Sequence, residues 1–207
     1  MPVQSYEMTT RQLTRAKEIA QKAMDSGEWV ALKILAPDMV AAADNYLIAD
    51  RKVHNQQQLL TKEVQEADTG TSKLSSLYNQ LLPVAQQKLG FDGGYSSTYR
   101  TADDLFASAE LMEASFEKHK EQQWASEALA ALTPMLDSSS KEYHDQVQAY
   151  RDIQKAQAQR ARAADQSRHT LLLFRRVVRA SLGKQSREYH DLQDQRRQTT
   201  PAPTSPQ

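Results

Sequence analysis

Residues 139–183 read SSKEYHDQVQAYRDIQKAQAQRARAADQSRHTLLLFRRVVRASLG, a stretch with no glycine or proline before its last residue. Tyr143, Val147, Tyr150, Ile153, Ala161, Ala164, Leu171, Phe174, Val178 and Leu182 recur at three- and four-residue spacing, the period of one face of an α-helix. Ser139-Ser140-Lys141-Glu142 has the form of a capping box, so a helix is predicted to start there and to end at Gly183. Roughly 44 residues at 1.5 Å each make on the order of 65 Å of helix. An element of that length needs neighbours of similar length, and this decides for an all-α fold of long helices.

The rest of the chain agrees. Its 207 residues include only 6 glycines and are rich in Ala, Gln, Glu, Lys, Arg and Leu, which favour helix over the alternation of strands. Glycines fall where helices are expected to break: Gly27, Gly70, Gly90, Gly93-Gly94 and Gly183. A first helix is predicted over about Ser5 to Leu35, with Leu13, Ala16, Ala20, Ala23, Gly27, Val30 and Ile34 on its seam. A second runs from Pro37 to about Leu89, with Met39, Ala43, Tyr46, Val53, Leu60, Val64, Ala67, Leu74, Tyr78, Leu81 and Ala85, a break or kink at Thr69–Ser72, and another at Pro83. A third runs from about Thr101 to Leu132, with Leu105, Ala109, Met112, Phe116, His119, Gln123 and Ala130 near one face; Pro134 opens a break through Asp137–Ser140. A short last helix follows Ser186, and 198–207 reads as a disordered tail.

Two segments align. Leu81–Gly90 (LLPVAQQKLG) matches Phe174–Gly183 (FRRVVRASLG), Leu35-Ala36-Pro37 answers Leu132-Thr133-Pro134, and Tyr46 answers Tyr143. The expected architecture is therefore an elongated antiparallel four-helix bundle of two pseudo-repeated αα-hairpins, 1–92 and 93–197, in one domain over 1–197. The helix ends Leu-Gly-Lys-Gln-Ser-Arg-Glu-Tyr (182–189) and Leu-Gly-Phe-Asp-Gly-Gly-Tyr (89–95) resemble those of functionally uncharacterised bacterial four-helix-bundle proteins built from two similar hairpins. The resemblance implies the bundle and carries no activity.

Chemistry is narrowed by composition. There is no cysteine, which excludes disulfides, thiolate nucleophiles and cysteine-ligated metals. Five histidines remain, and the Glu-x-x-His signature of metal-binding bundles is absent. Asp50 with His54 and Asp165 with His169 share helix faces at i, i+4. Asp50, Gln57, His119 and Gln157 lie on predicted seams and form a candidate polar core layer, the place where a metal or small ligand would sit. The repeated Ser-Lys/Arg-Glu-Tyr-His-Asp at 140–145 and 186–191 points around a helix and reads as N-capping. With no phosphate-cradling loop or nucleophile elbow either, no enzyme, cofactor or bound metal is expected.

Formal charge is 26 against 26, net zero, so binding to a charged partner must be local. Residues 151–207 carry 12 Lys and Arg against 5 acids, while 1–150 carry 14 against 21. Arg160, Arg162, Arg168, Arg175, Arg176, Arg179, Lys184 and Arg187 form a candidate anion-binding face for nucleic acid or anionic lipid. The favoured account is that this basic helix packs beside the acidic stretch 103–121 and the charges balance, which makes nucleic acid the lesser expectation. No apolar run approaches the length of a spanning helix and no signal segment opens the chain, so a cytoplasmic protein is expected. The function expected is a non-enzymatic interaction or structural module that binds a protein partner or itself. Tyr6, Trp29, Tyr99 and Trp124 are its candidate contact aromatics.

Overall fold

A computed structural model of the protein describes residues 3–26, 29–90 and 98–193. The expectations placed on Gly27, Gly93-Gly94, Tyr95 and the 198–207 tail lie outside the described residues. The order of elements is α1 (Val3–Asp25), α2 (Val30–Leu89), α3 (Ala102–Glu117), α4 (Gln123–Leu182) and α5 (Arg187–Asp191), with no strand among the described residues. The fold is all-α and its helices pack as in a bundle. No helix among the described residues is long and apolar enough to cross a membrane.

Several boundaries differ from those expected, each for a local reason. The first helix stops at Asp25, and α2 restarts at Val30 with Lys33 N–H bonded to the Trp29 carbonyl at 2.9 Å. The restart resets the phase: Leu32, Ala36 and Met39 turn inward, while Val30 and Ile34, placed on the seam by the sequence, are 66% and 72% exposed. Pro37 begins no helix and Pro83 ends none; both lie inside α2. Pro134 opens no break either, and α4 continues through it and through 137–140. All three prolines are exposed, on the solvent side of their helices, where a carbonyl left without its helical partner stays open to water.

The third predicted helix divides instead at 118–122. There His119 N–H reaches Phe116 O at 2.9 Å and Gln122 N–H reaches His119 O at 2.9 Å, a tightened three-residue pattern that lets α4 begin at Gln123. No glycine or proline marks this turn. The signal is the run 117–123, EKHKEQQ, which has no apolar residue to hold either face against a core.

The ends assigned to glycine are found. Gly90 and Gly183 close α2 and α4 at φ +85° and +87°, in the left-handed region, with Gly90 N–H on Gln86 O and Gly183 N–H on Arg179 O, each at 3.1 Å. Ser186 then caps α5, its hydroxyl accepting from Tyr189 N–H at 3.2 Å. At the start of α3, Thr101 and Asp104 form a reciprocal capping box at 3.1 Å each way.

The chain packs as two compact units, Met1–His54 with Lys155–Gln207, and Asn55–Gln154. In the first, three helices line the core: Leu13, Ala16 and Ala20 of α1, Leu32, Ala36, Met39, Ala43 and Tyr46 of α2, and Ala164, Leu171, Phe174 and Val178 of α4, closed by Leu192. In the second, Leu74, Tyr78 and Ala85 of α2 meet Leu105, Met112 and Phe116 of α3 and Ala125, Leu132 and Leu136 of α4. Three helical segments line each core, and in the first Tyr189 of α5 packs against it as well.

Gly70 and Ser139 show why the predicted breaks at 69–72 and 137–140 are absent. Ser139 is buried, and its hydroxyl donates to the Gly70 carbonyl at 3.0 Å. A Cβ at Gly70 would stand 3.4 Å from Ser139 Cα and 2.1 Å from Glu142 Oε2. The small residues that read as helix breakers are thus where α2 and α4 approach closely.

Candidate functional site

Of the four residues of the expected polar layer, only Asp50 is engaged in a buried network. Gln57 and Gln157 are exposed, and His119 is exposed in the 118–122 turn, its ring 6.2 Å from that of Trp124. Asp50 and Gln157 belong to the first unit and Gln57 and His119 to the second, and of the four only Asp50 is withdrawn from solvent.

Asp50 instead meets residues that the sequence placed elsewhere. Arg160 Nη1 donates to Asp50 Oδ1 at 3.2 Å, and their side chains retain only 18% and 29% of their exposure. Thr10 Oγ1 lies 3.1 Å from Asp50 Oδ2 and 3.0 Å from the Tyr6 carbonyl, so its single hydrogen serves either acceptor. The Tyr46 hydroxyl donates to the Tyr6 carbonyl at 3.1 Å and lies 3.3 Å from Thr10 Oγ1. The Arg160 guanidinium stacks 3.9 Å above the Tyr6 ring, a cation–π contact. One cluster therefore ties α1, α2 and α4 together within the first unit.

Electrostatics make this cluster a clamp. Burial pushes the Tyr46 phenol above its ordinary pKa, with the hydrogen bond from Thr10 opposing that rise and the Asp50 charge adding to it. The phenol is therefore neutral at physiological pH. The Asp50 carboxylate is held in a charge-assisted bond to Arg160. Arg160 Nε is buried without a hydrogen-bond partner.

The expected anion-binding face loses Arg160 to this cluster. Arg168 is exposed and 3.8 Å from Asp165, and Arg187 is exposed and 3.9 Å from Asp191. Arg162, Arg176, Arg179 and Lys184 are exposed, and Arg175 is half-buried. The acidic stretch expected to neutralise them lies in the other unit, where α3 contributes to the core with Leu74, Tyr78, Leu132 and Leu136. By unit the balance is 18 Lys and Arg against 11 Asp and Glu in the first, a net +7, and 8 against 15 in the second, a net −7.

The four candidate contact aromatics all pack inward. Tyr6 lies under Arg160; Trp29 packs against the first core with Lys22 5.0 Å above its ring; Tyr99 stands edge-on to Tyr78; and Trp124 stands edge-on to Phe116 at 5.9 Å. Tyr99 also bonds the Ser75 hydroxyl. Apolar exposure comes mostly from aliphatic side chains, Ile48 at 65%, Leu111 at 53% and Leu172 at 48% with Val30, Ile34, Leu59 and Leu173, and from one other aromatic, Tyr150 at 46%.

Each unit carries an open groove between α2 and α4. The first, ≈ 360 Å³, is floored by Ala41, Ala42 and Ser167 and edged by Leu173. The second, ≈ 650 Å³, is lined by Lys62, Glu66, Gly70, Lys73, Met135 and Glu142, whose charges are of both signs. Among the described residues no group of three or more His, Asp or Glu side chains is placed to hold a metal ion. Comparison with protein-family models, with curated proteins and with solved structures finds no match to the chain.

Proposed function

We propose that this protein is a non-enzymatic helical interaction module, which works by presenting helix faces to a protein partner or to a second copy. The observation that carries the reading is the set of large aliphatic side chains left in water on the helices. Ile34 and Ile48 lie fourteen residues apart on one outward face of α2, with Ala41 midway, and Leu111 and Leu172 project from α3 and α4. Large aliphatic side chains exposed among charges are the material from which the apolar centre and polar rim of a protein-binding surface are made. The polar cluster at Asp50 fits the same reading, since it holds three helices in fixed register.

The duplicated-hairpin origin belongs to this proposal. Its support is the repeated order of a shorter helix and a 60-residue helix, and the two Leu-Gly ends at Leu89-Gly90 and Leu182-Gly183 with matching positive φ. It accords with the resemblance to bacterial bundles of paired hairpins. A second reading, binding of an anionic surface through 160–187, draws on the exposed arginines and on the +7 charge of the first unit.

The test is isolation of the tagged full chain from its native cells at low salt, with and without nuclease. A stoichiometric protein, or extra untagged copies of the chain, retained after nuclease supports the module. Nucleic acid or lipid retained with no protein would establish the second reading in its place.

A further inference from the structure

Two exposed helix faces, one in each unit, are complementary in charge and alike in form. On α4, Leu172 is encircled by Arg168 at i−4, Arg175 at i+3, Arg176 at i+4 and Arg179 at i+7, and all but the half-buried Arg175 are exposed. Arg175, Arg176 and Arg179 make no ion pair with any described residue, and Arg168 has only the long contact to Asp165. On α3, Ala107 and Ala114 form the middle of the exposed face, Leu111 lies on one edge beside Asp104, and Asp103, Glu110 and Glu117 line the other. Glu117 has an exposed local ion pair with Lys120, which is weak and readily exchanged.

From this we infer that the protein docks on itself: the Leu172 face of α4 in one copy seats on the Leu111 face of α3 in another. The inference rests on the interaction-module reading and names its partner as a second copy. Three arguments favour that occupant. The two units carry +7 and −7, so a chain with no net charge still offers a strongly basic surface and a matching acidic one. Each face places one large aliphatic side chain among charges, giving a small apolar centre with a polar rim. Ala107 and Ala114 lower the α3 surface, so that a facing helix carrying Leu172 can approach at close interaxial distance. An anionic polymer or vesicle would use the arginines and leave Leu111 and its acids without a role.

The experiment is sedimentation of the full chain at about 50 mM and about 500 mM salt, where the screening length falls from about 14 Å to about 4 Å. We expect a dimer or larger species at low salt and at least about a tenfold weaker association at high salt. R176E/R179E and E110K/E117K should each sediment as monomers at low salt, with unchanged circular dichroism and melting temperature. An equimolar mixture of the two variants should associate again, and R176K/R179K should associate like the parent.

Monomers of the parent chain at both salts would overturn the inference, as would association indifferent to both reversals or two reversals that fail to rescue each other. A monomeric chain that still retains a different stoichiometric protein from its cells would sink self-docking and leave the module reading standing. If neither copies nor a protein partner are held, both fail.

Discussion

In each unit three helical segments line the core, with α5 added in the first, yet the two cores are closed by different means. In the first, six alanines, Ala16, Ala20, Ala23, Ala36, Ala43 and Ala164, make the helix seams, and the Asp50–Arg160–Tyr46 cluster joins the three helices. In the second, Tyr78, Phe106, Met112, Phe116 and Leu132 fill the space, and ring pairs such as Phe116–Trp124 and Phe106–Tyr143 brace it. Small seams resist added volume and depend on polar ties for register. Bulky seams resist lost volume, because a few side chains supply most of the buried area.

The sharpest way to break this contrast is a pair of opposite volume changes. Phe116 is fully buried, so Phe116→Ala should cost about 4 kcal/mol through lost apolar burial and a residual cavity. In the first unit the damaging change is enlargement: Ala20, with no exposed surface, replaced by Leu should cost about 1–3 kcal/mol as α1 is forced away from its neighbours. Urea unfolding of the three chains measures both. An Ala20→Leu chain as stable as its parent would show that the first seam has slack and would dissolve the distinction.

Polar ties give the next effect. Asp50→Asn keeps the shape but removes the charge facing Arg160, whose side chain is only 18% exposed and whose Nε already lacks a partner. We expect a loss of about 2 kcal/mol, below the cost of breaking a fully buried pair because some water reaches both groups. Asp50→Asn combined with Arg160→Met should recover part of that loss, since no charge is then left uncompensated. Failure of the double variant to improve on the single one would mean that Arg160 acts through its stack on Tyr6 rather than through the ion pair.

These residues also mark how far the sequence could be read. The all-α class followed from composition and from the 3.6-residue period. Where a seam was anchored by apolar residues inside one uninterrupted helix, as for Leu13, Ala16, Ala20 and Ala23 or for Leu105, Ala109, Met112 and Phe116, the buried face was legible. Phase does not carry from α1 into α2, so a seam extended through Gly27 to Val30 and Ile34 points outward, and the 118–122 turn has no glycine or proline to mark it. The same rule misread Pro134 and Ser138–Ser140, because a small residue at a close helix crossing and one at a helix end look alike in a sequence. Asp50 stands out in the sequence as an acid on an apolar seam, but its partner does not. Arg160 counted with the basic residues around it, and only the packing of α4 on α2 turns it toward a carboxylate 110 positions away.

One device is common to both units, and it tests where they should behave alike. Gly90 and Gly183 hold φ near +85° with nothing within 4 Å of an added Cβ, so the cost of Gly→Ala is backbone strain alone. Each substitution should cost about 1 kcal/mol, and the two should agree. A Gly183→Ala penalty well above that of Gly90→Ala would show that the turn into α5 also sets the position of Leu192 in the first core.

The smallest expected effect is on the dependence of stability on pH. Burial raises the tyrosine pKa in both, at Tyr46 in the first and at Tyr143 in the second. A raised phenol pKa stabilises the fold below the unfolded value near 10 and is lost as pH rises above it, so the alkaline limb is shared. In the first unit the Glu188 carboxylate is held below its ordinary range by the 2.8 Å bond from Lys22 that ties α5 to α1. A lowered carboxylate pKa stabilises the fold above the unfolded value near 4.5 and is lost as pH falls through it, so this acid-side contribution belongs to the first unit. With Lys22 61% exposed the contribution is about 0.5 kcal/mol after screening. Glu188→Gln should reduce stability by that amount at pH 7 and by nothing at pH 3, and 1 M salt should shrink the difference at pH 7. An equal loss at both pH values would assign Glu188 to the packing of α5, leaving its charge without a role.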